Sequence, residues 1–470
     1  MNNTMQRIVL YSFLAFMAGG CAVGPKFKKP EIDTPEKYIY SHNRDSIINL
    51  KWWKIFNDTI LRTLIDSALV NNKDVRIAAS RINEAAFVVG YNRADLLPAI
   101  GYNGSAIRGN NGQSGAPLYE TGNLFSGVGN IYWELDFWGK YRRATEAAKA
   151  ELLASEYGMR SVQIGLISHV ANLYFQLLDY RTRLEISKET LESRKASLDI
   201  ISERYNQGII PEIDLNQAQI QEAIAATNIP YYERLIANTE HALSVLLGNN
   251  PAIIGVSQLI DVIIPPDIPV GIPSDLLQRR PDILIAEQHL KAQNARIGVA
   301  QAMRFPTISL TGLFGVASTD LSNLLTGDAI VWSLAGDITG PIFNFGKNRR
   351  RVEIERERTQ QLLLEYEKAV LNAFADVEDA LIGVSTISAE LEALKRQLVA
   401  AKNAAELSRA RYDGGVTSYL EVLETERSLF DTQLRTADAY QRLLNSYVFL
   451  YQALGGGWIS EAEANEAENP

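Results

Sequence analysis

Residues 138–143 read WGKYRR, and residues 345–350 read FGKNRR. The two glycines of these motifs, Gly139 and Gly346, are 207 residues apart (346 − 139). Other matched pairs keep this interval to within one residue: Arg204-Tyr205-x-x-Gly208 with Arg411-Tyr412-x-x-Gly415 at 207, Leu247-Gly248 with Leu454-Gly455 at 207, and Pro98 with Pro306 at 208. An internal repeat fixes the architecture before any local motif is considered. We therefore predict two tandem copies of one structural unit, residues 60–250 and 274–458, joined by a linker over 251–273.

Composition argues against several functional classes. The 470-residue chain has a net charge of −9 and no basic stripe apart from the short clusters after the two glycines, so nucleic acid is not an expected partner. The four histidines lie far apart and there is one cysteine, which excludes an intrachain disulfide and predicts no metal site. The motifs GxSxG, HExxH and GxxxxGK[ST] are missing. We expect neither an enzyme nor a protein that needs a cofactor.

The N-terminus has the features of a secretory signal peptide over residues 1–20. Arg7 precedes the apolar run Ile8 to Met17, and the small residues Ala18-Gly19-Gly20 lead to Cys21. A lone cysteine is commonly a small buried residue. Its position directly after the small residues favours a lipid-modified N-terminus, for example with palmitate, and a lipidated segment over 21–59. After cleavage, no run of 18 apolar residues remains, so any membrane crossing would have to use strands.

Each copy contains a pair of alternating segments, typical of β-strands. We predict strands over about 99–109 and 124–137 in the first copy, and over about 307–317 and 329–343 in the second. Phe125, Ile131 and Trp133 share one face, and Ile330 and Trp332 share the matching face in the second copy. The lengths suit tilted strands of a membrane barrel, although a soluble β-sandwich would show the same alternation. Four strands cannot close a barrel, so the membrane interpretation requires an oligomer.

Long helices follow the two glycine motifs. Apolar residues spaced by threes and fours predict helices over about 140–205 and 347–412, each roughly 100 Å long. Gly208 and Gly415 suit the left-handed turn that ends a helix, and return helices are predicted over about 212–247 and 419–453, the first kinked at Pro230. The acidic tail 459–470 is predicted to be disordered.

Basic residues at the start of each long helix oppose the helix dipole. They are Lys140, Arg142 and Arg143 in the first copy, and Lys347, Arg349 and Arg350 in the second. Anionic lipid headgroups at a membrane rim would favour them, whereas the simpler alternative is a solvated charged face.

With these residues in view, the chain resembles the outer-membrane efflux protein (TolC/OprM-like) family, and more closely its lipoprotein branch. The resemblance runs from residue 21 to about 458. It rests on four features: CAVGPKFKKP at 21–30, WWKIFNDTILRTLIDSALVNNKDVRIA at 52–78, PSDLLQRRPDI at 273–283, and the two RYxxG turns.

This resemblance implies an α+β membrane protein that acts as a homotrimer. Three chains would form a 12-stranded β-barrel continued by a coiled-coil α-helical barrel, which makes a tunnel through the periplasm. The protein would be lipid-anchored in the cell outer membrane of a Gram-negative bacterium, in contact with outer-membrane lipid. It would be the passive exit duct of a tripartite efflux system, with an inner-membrane efflux pump and a periplasmic adaptor (membrane fusion) protein as partners. The alternatives are a self-sufficient porin or a structural periplasmic lipoprotein.

The resemblance also implies roles at the turns of the helical hairpins. Glu421, Glu424 and the first-copy residue Asp214 match the family's gate, where rings of acidic side chains favour cations. The family usually has aspartate at the two glutamate positions, and Ser418-x-x-Glu421 also fits a helix capping box. The residues matching the adaptor-docking tips are Arg204, Gly208, Arg411, Gly415 and Thr417. For the two glycines, the turn alone is a sufficient reason.

Overall fold

The structure, a computed structural model, describes residues 22–35, 37–40, 56–110, 121–259, 262 and 273–456. The predicted signal peptide, Cys21 and the predicted acidic tail 459–470 lie outside the described residues. Most of the predicted linker, from 263 to 272, lies outside them as well.

The chain forms the same order of elements twice. In each copy helices precede an antiparallel strand pair, which is followed by a long helix, a turn and a return helix. The first copy comprises α1 (Thr59–Asn71), α2 (Lys73–Ala94), β1 (Ala99–Gly109), β2 (Gly122–Leu135), α3 (Lys140–Asn206) and α4 (Glu212–Leu246). The second comprises α5 (Leu276–Arg279), α6 (Pro281–Ala302), β3 (Thr307–Ser318), β4 (Ile330–Thr339), α7 (Lys347–Asp413) and α8 (Tyr419–Ala453). Short 3-10 turns occur at Pro273–Asp275, Leu321–Asn323 and Gly327–Ala329.

Two predicted strand ends are corrected by the structure. β2 ends at Leu135, before the predicted 137, because Asp136 turns its carboxylate toward the first amides of α3. β4 ends at Thr339, before the predicted 343, because Pro341 has no amide to donate to a sheet ladder. Pro230, the predicted kink position, lies inside α4, and α4 is one continuous helix from Glu212 to Leu246.

The four strands form one antiparallel sheet in the order β1-β2-β3-β4. Ala99 pairs with Tyr132 in the first hairpin, and Thr307 pairs with Thr339 in the second. The first members of these pairs are 208 residues apart and the second members 207, so the repeat register extends through both hairpins. β2 and β3 join the two copies, which leaves β1 and β4 as the edges of the described sheet. Several apolar side chains on the sheet are largely exposed, including Tyr102 at 93% and Trp332 at 75%.

The chain divides into two compact units, and each unit takes segments from both copies. The described residues of the first fall within Met1–Ile32, Ser80–Glu156 and Ile285–Lys368, and this unit contains the sheet. The described residues of the second fall within Asp33–Ala79, Tyr157–Leu284 and Ala369–Pro470, and this unit contains both hairpin turns. Among the described residues, no helix has the length and apolarity that a bilayer crossing requires.

The core of the second unit is built where helices of both copies meet. Its largest fully buried side chains come from the first copy: Tyr174, Phe175, Leu177 and Leu178 of α3, Leu243 of α4, and Leu61 and Ile65 of α1. They share one cluster with the buried second-copy residues Leu443, Leu444 and Val448 of α8. Asp58 connects this core to the segment that follows α4. Its carboxylate accepts hydrogen bonds from the first amides of α1, from the Tyr174 hydroxyl at 2.6 Å and from the Ser257 hydroxyl at 2.6 Å. This N-cap therefore also fixes the segment that follows α4.

Candidate functional site at the turns of the helical hairpins

Both long helices end in the same glycine-centred turn. Gly208 has φ +75° and Gly415 has φ +70°, in the left-handed region. In the second copy the Val416 amide donates to the carbonyl of Arg411 at 2.9 Å, and the Ile209 amide makes the matching bond in the first copy. No atom lies within 4 Å of a Cβ built on either glycine. Each glycine is thus required by its backbone conformation, not by crowding.

Glu421 connects the two helices of the second hairpin. Its Oε1 lies 3.1 Å from Nη1 of Arg411 on α7, and its Oε2 accepts a hydrogen bond from the Thr417 hydroxyl in the turn. The expected capping box is wrong, because the N-cap residue Ser418 makes no side-chain capping bond. The carboxylate instead pairs with a cation on α7 and accepts from a hydroxyl in the turn, so it joins two segments and does not cap its own helix.

Glu424 is bound differently, although it lies one turn further along α8. Both of its oxygens accept from Nη2 of Arg427, at 2.9 and 2.8 Å. The two residues are three positions apart on the same helix, and their side chains are 64% and 65% exposed. This ion pair therefore connects no second element.

Asp214 occupies the first turn of α4, where its negative charge suits the helix dipole. Within the described part of the chain, it has no cationic partner within 4.0 Å. Its charge acts on Tyr419, whose hydroxyl is kept neutral. Burial, reinforced by the carboxylates of Glu426 and Asp214, raises the pKa of Tyr419 to about 12.

Arg204 ties the first hairpin to the second. Its Nη2 lies 3.8 Å from Oδ1 of Asp413, and its guanidinium lies 5.0 Å from the centre of the Tyr412 ring. The Tyr412 ring in turn packs against Tyr419 at 5.4 Å. Cation–π and exposed ionic contacts are individually weak, but both act on one guanidinium here.

Sequence reasoning missed Asp413 and Arg409. Nη1 of Arg409 donates to the Ser197 hydroxyl at 2.6 Å and to Oε1 of Glu426 at 3.3 Å, while Nε lies 3.8 Å from Oδ2 of Asp413. Burial raises the pKa of Glu426, which the nearby arginines partly offset. One signal was available, because Asp413 stands where the first copy has the neutral Asn206. The repeat is charged at this position in one copy only.

The basic residues after Gly139 are engaged within the chain. Arg143 is 7% exposed and donates to the carbonyls of Val23 and Gly24, both at 3.2 Å. Its assignment to the membrane rim is therefore wrong, because a headgroup cannot reach a buried guanidinium. The segment that contains Ala22 passes close to Gly139. A Cβ on residue 139 would lie 2.6 Å from the Cβ of Ala22, so this position requires glycine.

Lys140 and Arg142 have carboxylate partners at the end of β2. Lys140 lies 3.0 Å from Glu134, and Nε of Arg142 lies 3.0 Å from Asp136. Burial lowers the pKa of Lys140, but hydrogen bonds to Glu134 and Tyr141 outweigh it, so the net shift is upward. The second-copy residues Lys347, Arg349 and Arg350 are exposed.

Comparison with known proteins matches both copies. The family model described as "Outer membrane efflux protein" matches residues 64–249 and 272–456. The chain is 35% identical over 453 residues to the "Cation efflux system protein CusC" of an Escherichia coli O6:H1 strain, covering 95% of this chain and 97% of that protein. It is 33% identical over 461 residues to the "Probable outer membrane lipoprotein SilC" of Salmonella typhimurium, covering 96% of this chain and 99% of that one.

A solved structure agrees with these matches. The CmeC outer membrane channel of Campylobacter jejuni superposes with a TM-score of 0.87 at 28% identity, covering 95% of this chain and 98% of that one. Its helix-rich architecture with a few strands matches the one seen here. Because the family model covers most of the chain and each copy separately, the chain belongs to the outer membrane efflux protein family.

Proposed function

We propose that this outer membrane efflux protein is the passive exit duct of a tripartite efflux system. One observation carries the proposal: in each copy a strand pair with exposed apolar side chains leads directly into a 67-residue helix and its return helix. An apolar strand surface suits lipid, and a helix of about 100 Å is longer than a simple pore requires. An inner-membrane pump would supply the energy, so the duct itself needs no catalytic step.

The sheet edges favour an oligomer. The outer edges of β1 and β4 carry backbone N–H and C=O groups that no strand of the described sheet pairs with. An open edge facing lipid would leave these groups without hydrogen bonds. Pairing β4 of one chain with β1 of the next satisfies them. Three chains then give 12 strands around one barrel, continued into the periplasm by the helical hairpins. The number three comes from the family resemblance.

The hairpin turns are proposed as the docking site for a periplasmic adaptor. Arg204, Arg411 and Thr417 are the polar residues involved, while Gly208 and Gly415 shape the turns. The contacts of Arg204 and Arg411 to acidic residues on neighbouring segments support a role in presenting a defined surface.

Lipidation at Cys21 is proposed as the membrane anchor, and the lipoprotein named among the relatives supports this proposal.

The gate is proposed to use Glu421, Glu424 and Asp214 in different ways. In a trimer each position contributes three carboxylates, which would favour cations in a narrow lumen. The Arg411–Glu421 ion pair would stabilise the closed state of the gate, because it fixes the start of α8 to the end of α7. Glu424 would act mainly on ion selectivity, because its partner lies on its own helix.

Paired cysteines would test the barrel and the trimer. Tyr102→Cys on β1 would be combined with single cysteines at Trp332, Leu334 or Gly336 of β4, in the full-length protein in its membrane. We expect one of these registers to give a covalent trimer on denaturing gels. Dimers alone, or no cross-link in any register, would contradict the proposed closure. Pairing Tyr102→Cys with a cysteine at the exposed helical residue Glu392 serves as the control.

Single-channel recording would test the duct. We expect the purified protein to conduct in planar bilayers, with a small cation-selective conductance. An absence of channels from protein that cross-links as a trimer would refute a duct while leaving the assembly intact.

A further inference from the structure

Each strand of the sheet connects directly to one helix, so the strand order predicts which helices are neighbours. α6 leads into β3 and α3 follows β2, and these two central strands pair with each other. α2 leads into β1 and α7 follows β4, and these two strands are the edges of the described sheet. The α6–α3 junction therefore lies inside one chain. The equivalent α2–α7 junction can form only where β1 of one chain pairs with β4 of another.

The α6–α3 junction packs apolar side chains from the two copies against each other. Trp138, just before α3, stacks on Phe305, just after α6, with ring centres 4.4 Å apart. Further along the helices, Ala147 of α3 is 5% exposed and shares a buried cluster with Ala295 of α6, which is fully buried. These contacts show how a helix that leads into the sheet packs on a helix that leaves it.

The repeat places an apolar residue at each of the four equivalent positions of the α2–α7 pair. At intervals of 208 and 207 residues, the equivalents are Leu97 for Phe305, Phe87 for Ala295, Phe345 for Trp138 and Ile354 for Ala147. Each is more exposed than its counterpart: 67% for Leu97, 78% for Phe87, 85% for Phe345 and 51% for Ile354. Apolar positions that are packed in one junction and open in the other indicate that a single chain lacks a partner there.

Two helical glycines give an independent observation. Gly298 of α6 and its counterpart Gly90 of α2 lie inside helices, where glycine is less favourable than alanine. Gly298 is required by packing, because a Cβ on residue 298 would lie 2.9 Å from Cγ of Arg143. In the described part of one chain, nothing lies within 4 Å of a Cβ built on Gly90. The counterpart of Arg143 is Arg350, so Gly90 is explained if the Arg350 side chain of another chain crosses it.

We propose that α2 of one chain packs on the start of α7 of the next chain, in the arrangement that α6 and α3 have within a chain. The proposed contacts are Phe87 with the partner subunit's Ile354, Leu97 with the partner subunit's Phe345, and Gly90 with the partner subunit's Arg350. The occupant is a second copy of this chain, because the contact continues the pairing of β1 with β4 into the helices attached to them. This inference rests on the proposed function, which pairs those sheet edges, and it names the helical surfaces involved.

The two junctions differ in side-chain size for a physical reason. Inside a chain, the helices that carry Ala147 and Ala295 are already covalently connected, and small side chains let them approach closely. Contact between chains must also offset the translational and rotational freedom that association removes. Phe87 and Ile354 bury more apolar area than two alanines, so the larger residues suit the contact between chains.

Cysteine cross-linking of the full-length protein in its membrane would test the contact. Phe87→Cys and Ile354→Cys would be combined in one chain, and we expect a short bifunctional thiol reagent to give a covalent trimer on denaturing gels. The matched control places cysteines at the counterpart positions, Ala147 and Ala295. This control pair should react within one chain and leave a monomer. Each single variant controls for the native Cys21.

Removal of the aromatic side chain gives a second readout. Phe87 is exposed in a single chain, so we expect Phe87→Ala to leave the fold of the chain intact. The substitution should raise the concentration at which the trimer dissociates in detergent by at least about tenfold, the effect of removing one buried aromatic side chain. Leu325→Ala is the control, because Leu325 is 92% exposed in the segment between β3 and β4, and it should leave dissociation unchanged. Equal effects of the two substitutions would contradict the proposed contact.

The gel pattern separates failure of this inference from failure of the assembly. A cross-linked monomer from the Phe87 and Ile354 pair would overturn the inference, because the two helices would then meet inside one chain. No product from this pair, while the control pair reacts, would overturn it as well. A trimer that is cross-linked through Tyr102→Cys and β4, but not through α2 and α7, would refute only the helical contact. Failure of both cross-links would refute the assembly itself.

Discussion

Replacing Glu421 with glutamine is expected to open the proposed gate more often. The substitution removes the ion pair with Arg411, while the amide oxygen can still accept the hydrogen bond from Thr417. The perturbation therefore isolates the charge that joins α7 to α8 and preserves the size of the side chain.

The size of the effect follows from exposure. The side chains of Arg411 and Glu421 are 54% and 36% exposed, so the pair falls in the range of solvent-screened ion pairs, about 0.2–1 kcal/mol. If three chains close together, the loss is about 0.6–3 kcal/mol for each gate. The ratio of open to closed channels should then rise by about 3-fold to about 150-fold.

Open probability in planar bilayers is the direct measurement, and Glu424→Gln is the matched control. Because Glu424 pairs with Arg427 on its own helix, its neutralisation should reduce cation selectivity with little change in open probability. High salt should narrow the difference between wild type and Glu421→Gln, since it screens the pair. An unchanged open probability in Glu421→Gln, or a larger change in Glu424→Gln, would refute the assignment of Glu421 to the closing contact.

Three further predictions concern stability, each measurable by thermal unfolding. Gly415→Ala should destabilise the turn by about 1 kcal/mol, because φ is +70° there, whereas the helical Gly383→Ala should be neutral or stabilising. Asp58→Ala should cost roughly 2–3 kcal/mol through the lost cap and hydroxyl bonds, and a loss under 0.5 kcal/mol would contradict the role assigned to it. The hydrogen bond that His289 donates to the Glu151 carboxylate outweighs burial and raises the pKa of His289. The stabilisation from this pair is therefore complete below about pH 6.5 and is lost as pH rises through the raised pKa. His289→Gln should flatten that part of the pH dependence, and an unchanged profile would exclude the pair as its source.

Much of the architecture could be read from the sequence because its signals are local or periodic. The 207-residue repeat needs no knowledge of contacts, and the family model matches the chain in the same two blocks. The glycine at each hairpin turn was also predictable, because a left-handed residue after a long helical pattern favours glycine whatever surrounds it.

The partners of the charged side chains were decided by tertiary structure. Arg142 and Arg349 occupy the same place in the repeat, yet one is paired with Asp136 across the strand-to-helix junction and the other with Glu353 on its own helix. Arg143 donates to the carbonyl of Val23, 120 residues away in the sequence, and no sequence spacing predicts this contact. A repeat specifies equivalent backbones, but an ion pair depends on which side chains the fold brings within about 4 Å. The sequence therefore determined the duplicated scaffold, and only the tertiary structure distinguished the engaged cations of the first copy from the exposed ones of the second.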